Sequence, residues 1–220
     1  MIADNLPLPV MLPALLLSLG SVAGLVLSDQ FNFRAGRYLC KPLAALAFVW
    51  LALALDATAS DYGRWLLAGL LCCMLGDLLL MPKNERYFLA GLIAFLCGHL
   101  LFAVAFLQLP PELTGLAISA LPVAALLVLT YRWLLPTVDR QMKIPVAAYM
   151  WVISGMLLCA GLTLAHPAAL LMIGGAWGFA ISDLAVARQQ FVQPSRFNGL
   201  WGTPLYFFSQ MLLAASVALV

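Results

Sequence analysis

The sequence predicts an all-α protein, a polytopic transmembrane bundle of eight helices, and three observations carry that prediction. Of 220 residues, 65% are hydrophobic and 9% are charged, whereas a soluble domain is nearer half apolar and a quarter charged. Mean hydropathy is +1.03, and several apolar runs approach the roughly 20 residues needed to cross a bilayer. The breaks between runs are short, polar and rich in Pro, so no loop can hold a folded soluble domain. The composition excludes a soluble enzyme, a secreted domain and a nucleic-acid binder. A net charge of +2 is too small to attract a polyanion. Residues 1–220 are therefore expected to form a single transmembrane domain.

The spans follow in order. The first, about 8–27, begins after Pro7 and Pro9; Asp4 precedes it where a cleavable leader would carry basic residues, so it is expected to stay in the mature protein. The polar stretch Asp29–Arg37 separates it from the second, about 41–57, opened by Lys41-Pro42. The third, about 64–81, ends on Gly76-Asp77-Leu78, and the charged turn Pro82-Lys83-Asn84-Glu85-Arg86 leads to the fourth, about 87–107. Pro110-Pro111-Glu112 precedes the fifth, about 114–134, and Asp139–Lys143 precedes the sixth, about 145–165. His166-Pro167 turns the chain into the seventh, about 168–188, and Gln193-Pro194-Ser195-Arg196 leads to the eighth, about 200–219.

Basic residues orient the bundle. Arg34, Arg37, Lys41, Lys83, Arg86, Arg132, Arg140, Lys143, Arg188 and Arg196 all fall at odd-numbered connections, and only Arg64 falls at an even one. The positive-inside rule then places the odd loops in the cytoplasm and both termini on the non-cytoplasmic side. Lys41-Pro42 is echoed by Lys143-Ile144-Pro145, and Gly76-Asp77-Leu78 by Ser182-Asp183-Leu184. Such an echo suits a parallel 4+4 repeat about an axis along the membrane normal; chance recurrence of common helix-end residues is the other reading.

Chemistry is expected at the two membrane acids. Asp77 and Asp183 each sit about one turn before the odd-loop end of their span, where a carboxylate is costly and usually faces the bundle interior. Gly174, Gly178 and Ser182 recur every four residues, a small-residue stripe that admits a neighbouring helix beside Asp183. Ala176, Phe179 and Ala180 share the face of Asp183, so both acids are expected to look into one cavity at equal depth. The alternative is structural glue, with each Asp bonded to a neighbouring helix or to Lys41 or Lys143. His99 lies mid-span, flanked on its own face by Phe95 and Phe102. His99 and His166 stand on opposite sides, which excludes a three-His zinc site, and no metal is assigned. The cysteines, Cys40, Cys72, Cys73, Cys97 and Cys159, read as small apolar packing residues. Tyr149 falls near the start of the sixth span. Tyr206 and Gln210 share one face of the eighth, and Gln210 is deep enough to need a polar partner.

These residues carry a resemblance to the YhhN-like lysoplasmalogenase family of integral membrane vinyl-ether hydrolases. The matches are Lys41-Pro42-Leu43, Leu75-Gly76-Asp77-Leu78, Gly91-Leu92, Phe95 and Gly98-His99-Leu100. They continue through Pro145-Val146, Tyr149, Ile153, Met156, Gly175-Ala176, Phe179, Ser182-Asp183, Ala187, Phe191 and Gln210. Ser182-Asp183 and Gly98-His99 are the most distinctive. Arg188 and Gln190 depart from the pattern just past the seventh span, which bears on head-group preference more than on chemistry. The resemblance implies hydrolysis of the vinyl ether of a lysoplasmalogen to a fatty aldehyde and glycerophosphoethanolamine or glycerophosphocholine, without metal or organic cofactor.

That reaction needs a proton at the β-carbon, a stabilised oxocarbenium ion and a water to capture it. One neutral carboxyl and one ionised carboxylate supply the first two needs, by analogy with glycosidases, and Asp77 and Asp183 suit the two roles in either order. Lys41 suits the substrate phosphate as a point charge. Tyr149, Ser182, His99 and Gln210 are expected to position water or the glycerol hydroxyl. The partners expected are the lysophospholipid substrate and membrane lipids, with no nucleic acid; the sequence assigns no oligomeric state. A multi-pass protein without long tails suits a bacterial inner membrane. A small proton-coupled transporter using the same Asp pair is the rival reading, and a lipid-binding scaffold without chemistry is a third.

Overall fold

The computed structural model describes residues 7–82 and 84–220; Asp4 and Lys83 lie outside the described residues. The described chain folds into α1 (Leu8–Gln30), α2 (Arg34–Ala54), α3 (Asp61–Leu79), α4 (Glu85–Phe106), α5 (Leu113–Leu134), α6 (Lys143–Gly161), α7 (Ala169–Ala187) and α8 (Arg196–Ser216). All eight are long and apolar enough to cross a membrane, as expected of a multi-pass integral membrane protein.

Local chemistry sets the boundaries. Ser60, Asn84, Glu112 and Ser195 each cap a helix by accepting a backbone N–H through the side chain, satisfying a donor that the first turn leaves free. The Ser195 cap starts α8 four residues before the expected position. The larger difference is at α2, which begins at Arg34 instead of about 41. The polar stretch there is mostly helix: only Phe31, Asn32 and Phe33 separate α1 from α2, with Asn32 at φ 54° making the reversal. Arg37 Nε reaches Asp29 Oδ1 at 2.6 Å across that turn, so the charges that resembled a loop tie two helix ends together. Pro42 consequently lies inside α2. His166 is a turn residue, its Nδ1 accepting from the Ala168 N–H.

Glycines bring the helices close. A Cβ on Gly98 of α4 would stand 2.7 Å from the Cys73 sulfur and 3.2 Å from the Gly69 carbonyl on α3. A Cβ on Gly178 would collide with the Ser209 side chain of α8, so the stripe expected beside Asp183 seats α8. Close small-residue approach of this kind is a main source of helix association where lipid removes the hydrophobic drive. α3 packs most extensively on α4, and α7 on α8; α8 also touches α1, α2 and α3, while α6 bridges α4, α5 and α7. α8 is accordingly the most enclosed span and α5 the most peripheral. Phe48, Phe102, Phe179 and Phe207 fill the interior.

After Ala187 the chain makes one wide turn, Arg188–Val192, before α8. Asn198, almost fully buried, fastens it. Its amide donates to Gln189 Oε1 and the Gln193 carbonyl and its oxygen accepts from Arg188. Widened turns of this type frequently border functional sites.

A candidate active site at the basic end of the bundle

A cavity of about 1000 Å³ opens at the end of the bundle that carries the odd-numbered connections. Its mouth is polar, with Asp29, Arg37, Glu85 and Arg196 at helix ends, and the apolar Leu92, Phe95, Leu126 and Ile153 line it farther along their helices. Lys41, Asp77, Tyr149, Ser182, Asp183 and Tyr206 stand on its wall. A largely apolar space with a few convergent polar groups is the usual form of a small-molecule site.

α3 supplies Asp77 and α7 supplies Asp183, each from its last turn. Asp77 accepts a hydrogen bond from the Tyr206 hydroxyl at 2.7 Å, Oδ2 being the acceptor, and its Oδ1 stands 3.3 Å from Lys41 Nζ. Asp183 Oδ2 accepts from the Tyr149 hydroxyl at 2.9 Å and stands 3.5 Å from His99 Nε2. The two acids thus differ in charge surroundings. Asp77 has an ammonium as partner; Asp183 has a phenol and an imidazole.

The histidine is held firmly. Its ring stacks on Phe179 with centroids 4.2 Å apart and meets Tyr149 edge-on at 5.3 Å. Nδ1 lies 2.7 Å from the Phe95 carbonyl, which can only accept, so Nδ1 carries a hydrogen. In the neutral ring Nε2 is then a lone pair facing the Asp183 carboxyl. At 3.5 Å that lone pair makes no hydrogen bond to the carboxyl.

Of the residues expected from the sequence, Lys41, Asp77, Tyr149, Ser182 and Asp183 come together on the cavity wall. The Ser182 hydroxyl donates to the Phe179 carbonyl at 2.7 Å, which leaves it free only to accept. His99 and Gln210 are fully buried and lie one layer deeper than the wall. Lys143 starts α6 and makes no ion pair with Asp183 among the described residues. Two members were not expected. Tyr206 is the second donor to an acid, and its sharing a helix face with Gln210 was the sequence signal for it. Cys73, read as packing, stands one turn below Asp77, close to both carboxylates and to the Gln210 side chain; nothing in its sequence context marks it.

A family model described as the YhhN family matches residues 36–217, which include Lys41, Asp77, His99, Tyr149, Ser182, Asp183, Tyr206 and Gln210. Human lysoplasmalogenase TMEM86A is 32% identical over 185 residues, covering 80% of this chain and 75% of that protein. Rat lysoplasmalogenase TMEM86B is 33% identical over 194 residues, covering 86% and 75%. Human TMEM86B is 31% identical over 191 residues, covering 86% and 77%. No solved structure matches the chain.

Proposed function

The chain belongs to the YhhN family, and from that premise we propose that it is a lysoplasmalogenase with Asp183 as proton donor and Asp77 as cation stabiliser. The observation that carries this reading is the pair of carboxyls on one cavity wall, one with a Lys beside it and one, among the described residues, without. An ionised carboxylate buried at this depth needs an opposite charge close by, and Lys41 provides it for Asp77. Asp183 lines the cavity with no Lys or Arg paired to it among the described residues, and the proton is assigned to it.

The steps balance without an external reagent. The Asp183 O–H breaks as a C–H bond forms at the β-carbon, and the ether oxygen shares the resulting positive charge. The Asp77 carboxylate, oriented by Tyr206, stabilises that oxocarbenium ion electrostatically. Water adds to the carbon bonded to oxygen, and the proton it loses returns to Asp183. The hemiacetal then collapses: its hydroxyl proton passes to the departing glycerol oxygen, giving a fatty aldehyde and a glycerophosphodiester. The apolar part of the cavity holds the alkenyl chain, and the polar mouth, with Arg37 and Arg196, receives the phosphate. The mouth faces the cytoplasm if the basic loops obey the positive-inside rule.

The parallel 4+4 repeat fits this arrangement. Asp77 is held by Lys41 of α2 and Tyr206 of α8, and Asp183 by Tyr149 of α6 and His99 of α4. Each acid therefore draws one partner from the helix before its own and one from the last helix of the other half.

The test is aldehyde release from a lysoplasmalogen by purified protein in detergent, with chelator present, beside Asp77→Asn and Asp183→Asn. Chelator-insensitive turnover abolished in both variants is expected. Near-normal activity in either variant refutes the paired-acid mechanism. No aldehyde from well-folded protein with either common head group refutes the hydrolase and favours gradient-dependent uptake.

A further inference from the structure

Among the described residues, three buried side-chain polar atoms have no hydrogen-bond partner: His99 Nε2, Gln210 Nε2 and Gln210 Oε1. All three belong to the layer beneath the carboxylates. Gln210 is one helical turn deeper on α8 than Tyr206, and His99 reaches Asp183 from α4. Cys73, one turn deeper on α3 than Asp77, is the polar neighbour of Gln210. Both side chains with free atoms are wholly buried, and Phe179, stacked on the His99 ring, is itself met edge-on by Phe95 and Phe102.

An amide met by no better partner than a weakly bonding thiol is expensive in an apolar interior, whereas an apolar side chain of equal size would be neutral or stabilising there. Groups of this kind are what a buried water binds, typically through about three hydrogen bonds. A vinyl-ether hydrolase also needs water placed beside the cation, on the side that the alkenyl chain does not fill.

We infer that Gln210 positions the water that captures the oxocarbenium ion, with His99 Nε2 as its second anchor. The inference rests on the hydrolase reading above and adds a location for the nucleophile. The water enters the reaction from beneath the carboxylates, while the lipid occupies the cavity above them. Its oxygen bonds to the carbon that bears the ether oxygen, and the released proton goes to Asp183.

The experiment compares wild type with Gln210→Met by steady-state kinetics, by thermal melting in detergent, and by turnover in D₂O. In D₂O the donor delivers deuterium to the β-carbon. When capture is prompt the cation proceeds to product, and unreacted lysoplasmalogen recovered at partial conversion carries no deuterium. When capture is slow the cation loses a proton and returns, leaving deuterium in the recovered lipid. Gln210→Met is expected to lower kcat by about 10–100-fold, to leave KM within about twofold, to melt no lower than wild type, and to give deuterated substrate.

A raised KM with unchanged kcat overturns the inference, because the amide then contacts the lipid. A lowered kcat without deuterium in the recovered lipid also overturns it, since protonation and not capture would be impaired. Wild-type kinetics overturn it as well, and so does a variant that fails to fold, which makes the amide structural. If wild type itself releases no aldehyde, the hydrolase reading falls first and this inference with it.

Discussion

Removing Lys41 tests whether the charge balance at Asp77 is what the geometry indicates. At the observed 3.3 Å, the attraction between unit charges is about 5 kcal/mol for an effective dielectric of about 20. Desolvation of both groups opposes it, and breaking one partner of such a pair commonly costs about 3–5 kcal/mol. The two side chains are unequally enclosed, at 18% exposed for Lys41 and 3% for Asp77. A long ammonium stem near the bundle end can turn toward the interface when its partner is lost; the carboxylate has no such exit. Lys41→Met is therefore expected to destabilise by about 3 kcal/mol, a fall of about 6–12 °C in melting midpoint for a chain of this size. Asp77→Asn should cost about 1 kcal/mol. The double variant should resemble Asp77→Asn alone, a coupling of about 3 kcal/mol between neighbours. Thermal melts of the four proteins in one detergent measure the cycle, and aldehyde release measured alongside should vanish wherever Asp77 is absent. Additive single effects, agreeing within about 0.5 kcal/mol, would refute the argument that this pair is electrostatically coupled.

Two further outcomes follow from the same geometry. Tyr206→Phe removes the phenolic donor 2.7 Å from Asp77, and a hydrogen bond to a charged group is worth about 1.5–3 kcal/mol; kcat should fall about tenfold or more with KM little changed, by the aldehyde assay. At the α5 cap, the Thr114 N–H donates to Glu112 Oε1 at 2.9 Å, and this bond holds the Glu112 carboxyl below its ordinary range. A folded-state pKa that is lowered contributes stability present at neutral pH and lost as pH falls through the lowered value. The melting difference between wild type and Glu112→Gln should accordingly be constant near neutrality and disappear in acid; a difference that grows on acidification would reverse the sign.

Much of the architecture was legible because lipid imposes a simple rule. Each span must satisfy its own backbone and present apolar side chains outward, so eight apolar runs between polar breaks read directly as eight helices. The α2 boundary escaped that rule: Asp29 and Arg37 are polar in composition but neutralise each other across a three-residue turn, a pairing that linear hydropathy does not register. At the site, Asp77 and Asp183 were conspicuous because a carboxylate in a membrane span is costly and therefore rare. Tyr206 was visible only as a neighbour of Gln210 on one helix face, and Cys73 looked like any small packing residue.

The sequence by itself determined the fold class, the number of spans and the two acids, since each is a property of one segment against lipid. Tertiary structure alone decided that Lys41 goes to Asp77, that Asp183 receives Tyr149 and His99 and, among the described residues, no Lys or Arg, and that Gln210 lies beneath the cavity wall beside the Cys73 thiol. Those relations join residues from different helices, and the rotation and depth of each helix come from glycine and aromatic packing between spans, which no single segment encodes.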